Sequence, residues 1–337
     1  MRILKYISIF AAAAAAIFWL RAKQPSVFIV SGQTMGTYYG VKIRNGSKAA
    51  AQEIEKTLAE VNAEMSVFDP DSEISRINKA PANQWLELSE PMQKVLQKAR
   101  EVYRQSNGAF DPTVGRLIEL WGFGTSGQKK RPDDKDIQML LKTSGFDKIH
   151  FSPDGSKLKK ANNEVMINLS AIAKGYGVDR IAERLEELGM NDYVIEIGGE
   201  VRAAGQKSPA AGGWNIGIIK PEKHYAENAY IVTLKNGAVA TSGSYRNFFE
   251  EGGKRFSHTI SPQTGYPVES DMVSVTVFHP SCMTADALAT ALMAMGEEKA
   301  RQFAEKHRLD AIFFIRGENG DIYPILTDGA KIITGVK

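Results

Sequence analysis

The chain has 337 residues, 43% apolar and 24% charged, enough nonpolar side chain for a sizeable core and too much for a disordered polypeptide. Its net charge of +3 is small for this length and its basic residues are scattered, so no nucleic-acid partner is expected. The one cysteine, Cys282, excludes an internal disulfide and a multi-cysteine zinc site, and Pro280 and Met283 beside it suggest a small buried hydrophobe.

Residues 1–24 read as targeting rather than fold. Arg2 and Lys5 make a basic start, and Tyr6 to Leu20 is a charge-free apolar run with six consecutive alanines. About 15 apolar residues fall short of the roughly 20 that cross a bilayer comfortably, which favours a signal peptide. Phe18, Trp19 and Leu20 are bulky where cleavage wants small residues, which favours an uncleaved signal anchor. No cysteine follows the run, so a lipoprotein anchor is excluded. Residues 25–337 remain as one folded domain without repeats or Pro- or Ser-rich linkers.

Along that domain, apolar residues at 3.6 spacing predict helices over 48–66 (Ile54, Leu58, Val61, Met65) and 90–106 (Met92, Val95, Leu96, Ala99, Val102). A third helix is expected from Gly175 to Leu188, closed by Gly189. Strands are expected at Asp192–Ile197, Trp214–Ile219, Tyr230–Leu234 and Ala238–Thr241, with Asn236-Gly237 as a type I′ hairpin between the last two. The strand VSVTVF, helices 284–295 and 297–308, the strand AIFFI and a turn at Glu318-Asn319-Gly320 into IYPIL complete the order. Hairpins with helices in blocks argue an α+β fold with a mixed, largely antiparallel sheet.

The chemistry gathers in loops. Ser170 to Gly177 places small residues around Lys174 just before a helix, where backbone amides and the lysine suit a phosphate. It lacks the spacing of a Walker A loop, and a plain junction with a solvated lysine remains the alternative. Asp286 and Thr290 stand at i and i+4, so their oxygens share a helix face and, with backbone carbonyls, suit a hard cation such as Mg²⁺. Taken alone, Asp286 equally suits a helix first turn and Thr290 a packed position. His258 stands at a strand end before a Pro/Gly turn, a place for a general base, a phosphate contact or a solvated histidine. Trp121 and Phe123 either cover a planar ring or fill the core.

Taken together, the ordered segments MGT (35–37), FDPDSEISRIN (68–78), FDPTVG (110–115), LWGFG (120–124), LSAIAKGYGVD (169–179), IGGE (197–200), SGSYRNFF (242–249), HTISPQTGYP (258–267) and ADALATAL (285–292) resemble the ApbE-type FAD:protein FMN transferases. The resemblance runs from Met35 to the end. It implies an enzyme that takes FAD as substrate, cuts its pyrophosphate and joins FMN through a phosphoester to a Thr or Ser of an exported acceptor flavoprotein. The resemblance also implies release of AMP and use of Mg²⁺. By motif, Met35, Phe68, Thr113, Val114, Gly115, Asn168, Lys174 and Ile260 would contact FAD. The Ala171 carbonyl, Asp286 and Thr290 would hold the metal, and His258 would take the hydroxyl proton or bind a phosphate. The implied location is the periplasmic side of a bacterial inner membrane, reached through residues 1–24, anchored or secreted.

Two positions depart from that pattern. Asn168 stands where relatives usually carry Asp, and Ser261 where Asp is common. The first change removes a negative charge but keeps hydrogen bonding. Three other activities compete: FAD hydrolysis to FMN and AMP, flavin binding without transfer, and redox use of FAD. The last lacks the Rossmann GxGxxG fingerprint.

Overall fold

A computed structural model of the chain describes residues 26–125, 127–221, 227–245 and 247–336, so residues 1–24, expected to serve targeting, lie outside the described residues. Among them, eight strands form one sheet whose spatial order follows the chain. They are Val27–Thr34, Thr37–Arg44, Tyr193–Ile197, Glu200–Ala204, Asn236–Gly243, Met272–His279, Asp310–Arg316 and Ile322–Leu326. Every ladder in it is antiparallel, the α+β arrangement expected from the hairpin signals. No helix of the described residues is long and apolar enough to cross a membrane.

Two of the connections are two-residue turns with left-handed backbone at both positions, Met35-Gly36 (φ 49 and 70) and Gly198-Gly199 (φ 60 and 108). Such turns carry the twist that antiparallel neighbours need. The two lie side by side, because Gly198 N–H donates to the Tyr38 carbonyl at 3.0 Å. A left-handed methionine costs roughly 1–2 kcal/mol. Met35 is held there by packing, its Cε lying 3.0 Å from where a Gly177 β-carbon would stand.

The central strands are buried on both faces, so they read as continuous apolar runs. From Met272–His279, Val275 and Val277 meet Leu288 and Leu292 of the Cys282–Met295 helix, whereas Phe278 joins Ile312, Phe314 and Val239 on the other face. The Ala173–Glu187 helix lays Val178, Ile181 and Leu185 on Val41, Ile43 and Ile195, with Ile54 and Leu58 of the Lys48–Met65 helix alongside. Each such side chain contributes about 1.5–3 kcal/mol when fully buried, which outweighs the local turn and propensity terms. The opposite face carries the two-stranded pair Trp214–Ile219 and Asn228–Leu234 and the short helix Asp328–Thr334.

That arrangement corrects one expectation. Asn236-Gly237 makes no hairpin: Asn228–Leu234 pairs with Trp214–Ile219, and Asn236–Gly243 runs between Glu200–Ala204 and Met272–His279. Asn236 is not among the residues with positive φ and Gly237 is nearly extended at 157, so the left-handed pair of a type I′ turn is missing. Pairing of Val239 with Val201 and Phe278 decides the path instead.

The two central helices approach at Gly175. A β-carbon there would stand 2.4 Å from the Cys282 carbonyl oxygen and 2.8 Å from Asp286 Cβ. In an open helix Gly→Ala gains about 1 kcal/mol. Here the obstacle is backbone, so Gly175→Ala is expected to destabilise by about 1–3 kcal/mol, read as a lower Tm in a thermal melt. An unchanged or higher Tm would show that the helices separate without cost.

Candidate active site

The Ala173–Glu187 helix begins two residues earlier than its sequence pattern suggests, which brings Lys174 into its first turn. Its N-cap is Ile172, whose side chain accepts nothing, so the first amides need acceptors from elsewhere. Gly175 N–H finds Asp286 Oδ2 at 2.9 Å. In return Asp179 of the same helix accepts from the Cys282 and Met283 amides, both at 3.0 Å, and from Ser281 Oγ at 2.8 Å. Each helix therefore carries the carboxylate that caps the other, and the helix dipoles favour both charges. Cys282, at this junction, is fully buried, and burial pushes its thiol well above the usual range.

Asp286 is 2% exposed. Its Oδ1 lies 3.7 Å from Lys174 Nζ, which lies 2.9 Å from Glu200 Oε1. Burial alone would lower the lysine, but Asp286 and Glu200 hold its pKa above the ordinary lysine value. Glu200 is shifted upward: burial and Asp286 raise it against the opposing pull of Lys174. It opens the strand after the Gly198-Gly199 turn, opposite Ile197. One turn beyond Asp286, Thr290 Oγ1 is 3.2 Å from Ser242 Oγ.

These groups face one cavity of about 960 Å³, whose wall also includes Phe68, Val114, Asn168, Ala171, His258 and Ile260. Asn168 Oδ1 accepts from Ser170 N–H at 2.9 Å, so this amide shapes the loop leading to Lys174. Met35, Thr113 and Gly115 are not among the lining residues. Met35 sits against Gly177; Thr113 is fully buried, donating to Asp111 Oδ1 at 2.6 Å and accepting from Gly145 N–H at 2.7 Å. Gly115 N–H donates to the Met166 carbonyl at 3.1 Å, an approach that a β-carbon 2.6 Å from that oxygen would prevent.

His258 is tied down from both ends. Its backbone N–H donates to the Asn247 carbonyl at 3.1 Å, and its ring Nδ1 meets the same oxygen at 3.1 Å. A carbonyl only accepts, so Nδ1 carries the proton and the lone pair of the neutral ring is on Nε2. Burial lowers the His258 pKa below the ordinary histidine value, and the charges of Lys174 and Lys129 lower it further against the Asn247 bond. The Ser261–Gly265 turn beneath is closed by Gly265 N–H to the Ser261 carbonyl at 2.8 Å, and Trp121 Nε1 donates to the Gly265 carbonyl at 2.9 Å. Trp121 is thus core, whereas Phe123 lines the cavity beside the His258 ring.

The oxygen donors Asp286 and Thr290, with Ala171 on the same wall, suit a hard divalent cation. No group of three or more His, Cys, Asp or Glu side chains that would hold a metal gathers among the described residues. A Mg²⁺ ion would keep waters and take one or two carboxylates plus phosphate oxygens.

The family model described as the ApbE family matches residues 35–313. The chain belongs to the ApbE family. The FAD:protein FMN transferase of Haemophilus influenzae is 43% identical over 310 residues, 88% of this chain and 89% of that protein. The flavin transferase ApbE of Vibrio cholerae has a solved structure similar at a TM-score of 0.82 and 36% identity, covering 92% of this chain and 99% of that one. The apo flavinyl transferase ApbE of Pseudomonas stutzeri matches at 0.85 and 33% identity, with 93% and 98% covered. Within this ApbE chain, Glu200 and Asp179 close the segments IGGE and LSAIAKGYGVD, but motif reading gave neither a role. The signal for Glu200 was present: Gly-Gly between two strands is a tight-turn pair, so the next residue begins a strand at a fixed place. Asp179 gave no such signal, because its acceptors' donors lie about a hundred residues away in the chain.

Proposed function

We propose that this ApbE family enzyme is a Mg²⁺-dependent FAD:protein FMN transferase acting on an exported acceptor flavoprotein. The observation that carries the reading is the meeting of Lys174, Asp286, Thr290 and His258 on one cavity of about 960 Å³, a size that holds a dinucleotide-like ligand. Asp286, Thr290 and the Ala171 carbonyl would hold Mg²⁺, which would supply charge neutralisation at the pyrophosphate. Lys174 adds a second cation to the same group, and Phe68, Val114, Asn168 and Ile260 hold the flavin nucleotide. The acceptor Thr or Ser oxygen bonds to the FMN-side phosphorus, the bond from that phosphorus to the bridging oxygen breaks, and AMP leaves. His258 Nε2 takes the hydroxyl proton.

The test is mass spectrometry of an acceptor flavoprotein incubated with enzyme, FAD and Mg²⁺. A mass gain equal to FMN, with AMP in solution, is expected. FMN and AMP without a labelled acceptor would make the enzyme a hydrolase, and unchanged FAD would reduce it to a binding protein.

Residues 1–24 support an acceptor met outside the cytoplasm. The basic start and apolar run of residues 1–24 favour export to the periplasmic side of the inner membrane, tethered or released. Residues 1–30 fused to a reporter that works only after export should give an active reporter; an inactive one would return the enzyme to the cytoplasm.

A further inference from the structure

The three-membered cluster at the cavity has an asymmetry that ligand binding by Asp286 alone does not use. Lys174 Nζ makes its short contact, 2.9 Å, with Glu200 Oε1, and stays 3.7 Å from Asp286 Oδ1. Glu200 is almost completely enclosed, its side chain 3% exposed, and its Oε2 is buried with no hydrogen-bond partner. A buried carboxylate oxygen left unsatisfied is costly and is kept only where the surroundings fix it. Here they do: the Gly198-Gly199 turn, with φ of 60 and 108, sets Glu200 at the first position of its strand, and Gly198 is itself pinned to Tyr38. A β-carbon on Gly198 would stand 2.8 Å from Thr37 Cγ2, so the turn has no room to shift.

We propose that Glu200 is a positioning residue that holds the Lys174 ammonium off Asp286 and so keeps Asp286 Oδ1 open to the divalent cation. The inference rests on the transferase reading only in taking Asp286 as the metal ligand. Without the Glu200 charge, the partner left for a partly enclosed ammonium is the carboxylate 3.7 Å away, and the ion pair then occupies the oxygen that the cation needs. Lys174 itself serves the pyrophosphate better from the Glu200 side, because there its charge adds to that of the cation instead of replacing it.

The experiment is Mg²⁺ titration by calorimetry of the full chain without FAD, with Glu200→Gln as the near-isosteric change. Its Mg²⁺ affinity is expected to fall about 10- to 100-fold, the usual effect of losing a residue that supports a metal ligand. A crystal structure of metal-free Glu200→Gln should show Nζ moved from its wild-type 3.7 Å to hydrogen-bond distance from Asp286 Oδ1. The double variant Glu200→Gln/Lys174→Met has no ammonium to occupy Asp286, so its affinity should return toward wild type. An unchanged affinity in Glu200→Gln, a lysine that stays in place, or a double variant as weak as the single one overturns the role of Glu200 while leaving the metal reading intact. Wild-type protein that binds no Mg²⁺ either alone or with FAD present removes both.

Discussion

Asp286→Asn is expected to lower the rate of FMN transfer by at least about a hundredfold at low millimolar Mg²⁺, with the fold unchanged. The substitution separates two roles that this carboxylate combines. Its Oδ2 accepts the Gly175 amide at 2.9 Å and so caps the Ala173–Glu187 helix, while its Oδ1 faces Lys174 and the cavity. Asparagine keeps an oxygen for the cap and removes the charge. Alanine removes both, and losing a buried hydrogen bond to a charged group costs about 1.5–3 kcal/mol. Asp286→Ala therefore confounds loss of metal with loosening of the helix that presents Lys174. Asp286 is also the one carboxylate in the proposed ligand set, and charge stabilisation of this kind accounts for about 10²–10³ in rate per preorganised group. Steady-state transfer across a Mg²⁺ series, with a thermal melt of each variant, checks the prediction. Near wild-type turnover in Asp286→Asn at low Mg²⁺, with an unchanged melt, would remove Asp286 from the metal site.

The same double role explains what could and could not be read along the chain. Amphipathic periodicity placed the Lys48–Met65 and Glu90–Gln105 helices to within a residue, because a stripe of Ile54, Leu58 and Val61 or of Val95, Ala99 and Val102 is a local statement about one buried face, whereas the shorter helices Glu73–Lys79, Gly115–Leu120, Asp134–Thr143 and Asp328–Thr334 carry too few turns to show one. Strands buried on both faces, such as Met272–His279, were equally visible as apolar runs. The partner of a strand is not local. Asn236-Gly237 has the composition of a hairpin and yet joins two different sheets, because the pairing of Val239 with Val201 and Phe278 lies outside any window of sequence.

At the site, single residues were ambiguous for a related reason. Asp286 and Thr290 form a common helix pair, and Lys174 a common loop lysine, until the crossing of two helices at Gly175 puts them together. Their ordered motifs supplied the resemblance, but the geometry shows how the motifs depend on one another. Gly175 of LSAIAKGYGVD lets the helices touch, Asp179 of that segment caps the helix of ADALATAL, and Asp286 of the latter caps the former. Reciprocal caps leave no local trace in either segment. Glu200 was hidden differently: one buried carboxylate after Gly-Gly has no periodicity, and its meaning lies in the 2.9 Å contact to Lys174.

His258→Asn is expected to reduce kcat for transfer by about 10²–10⁴ while leaving FAD affinity within about threefold of wild type. The ring is neutral and oriented before substrate arrives, since Nδ1–H is committed to the Asn247 carbonyl at 3.1 Å and Nε2 keeps its lone pair. Burial and the nearby cations hold its pKa below the ordinary histidine value near 6.5. The base form is lost on acidification, so the acid limb of the kcat profile should fall below pH ~6.5 in wild type and vanish in the asparagine variant. Linkage has the same sign: a folded-state pKa below the unfolded one means that stability is complete above about pH 6.5 and declines as pH falls through the folded value. The rate profile must therefore be recorded where a melt shows the protein folded. Asparagine also retains hydrogen-bonding capacity, so ground-state contacts with the nucleotide should survive. If FAD affinity collapses in step with the rate, His258 is a phosphate contact. If the acid limb persists in the variant, the proton goes to another group, and the Asn247 tether serves only to fix the strand end that carries Ile260.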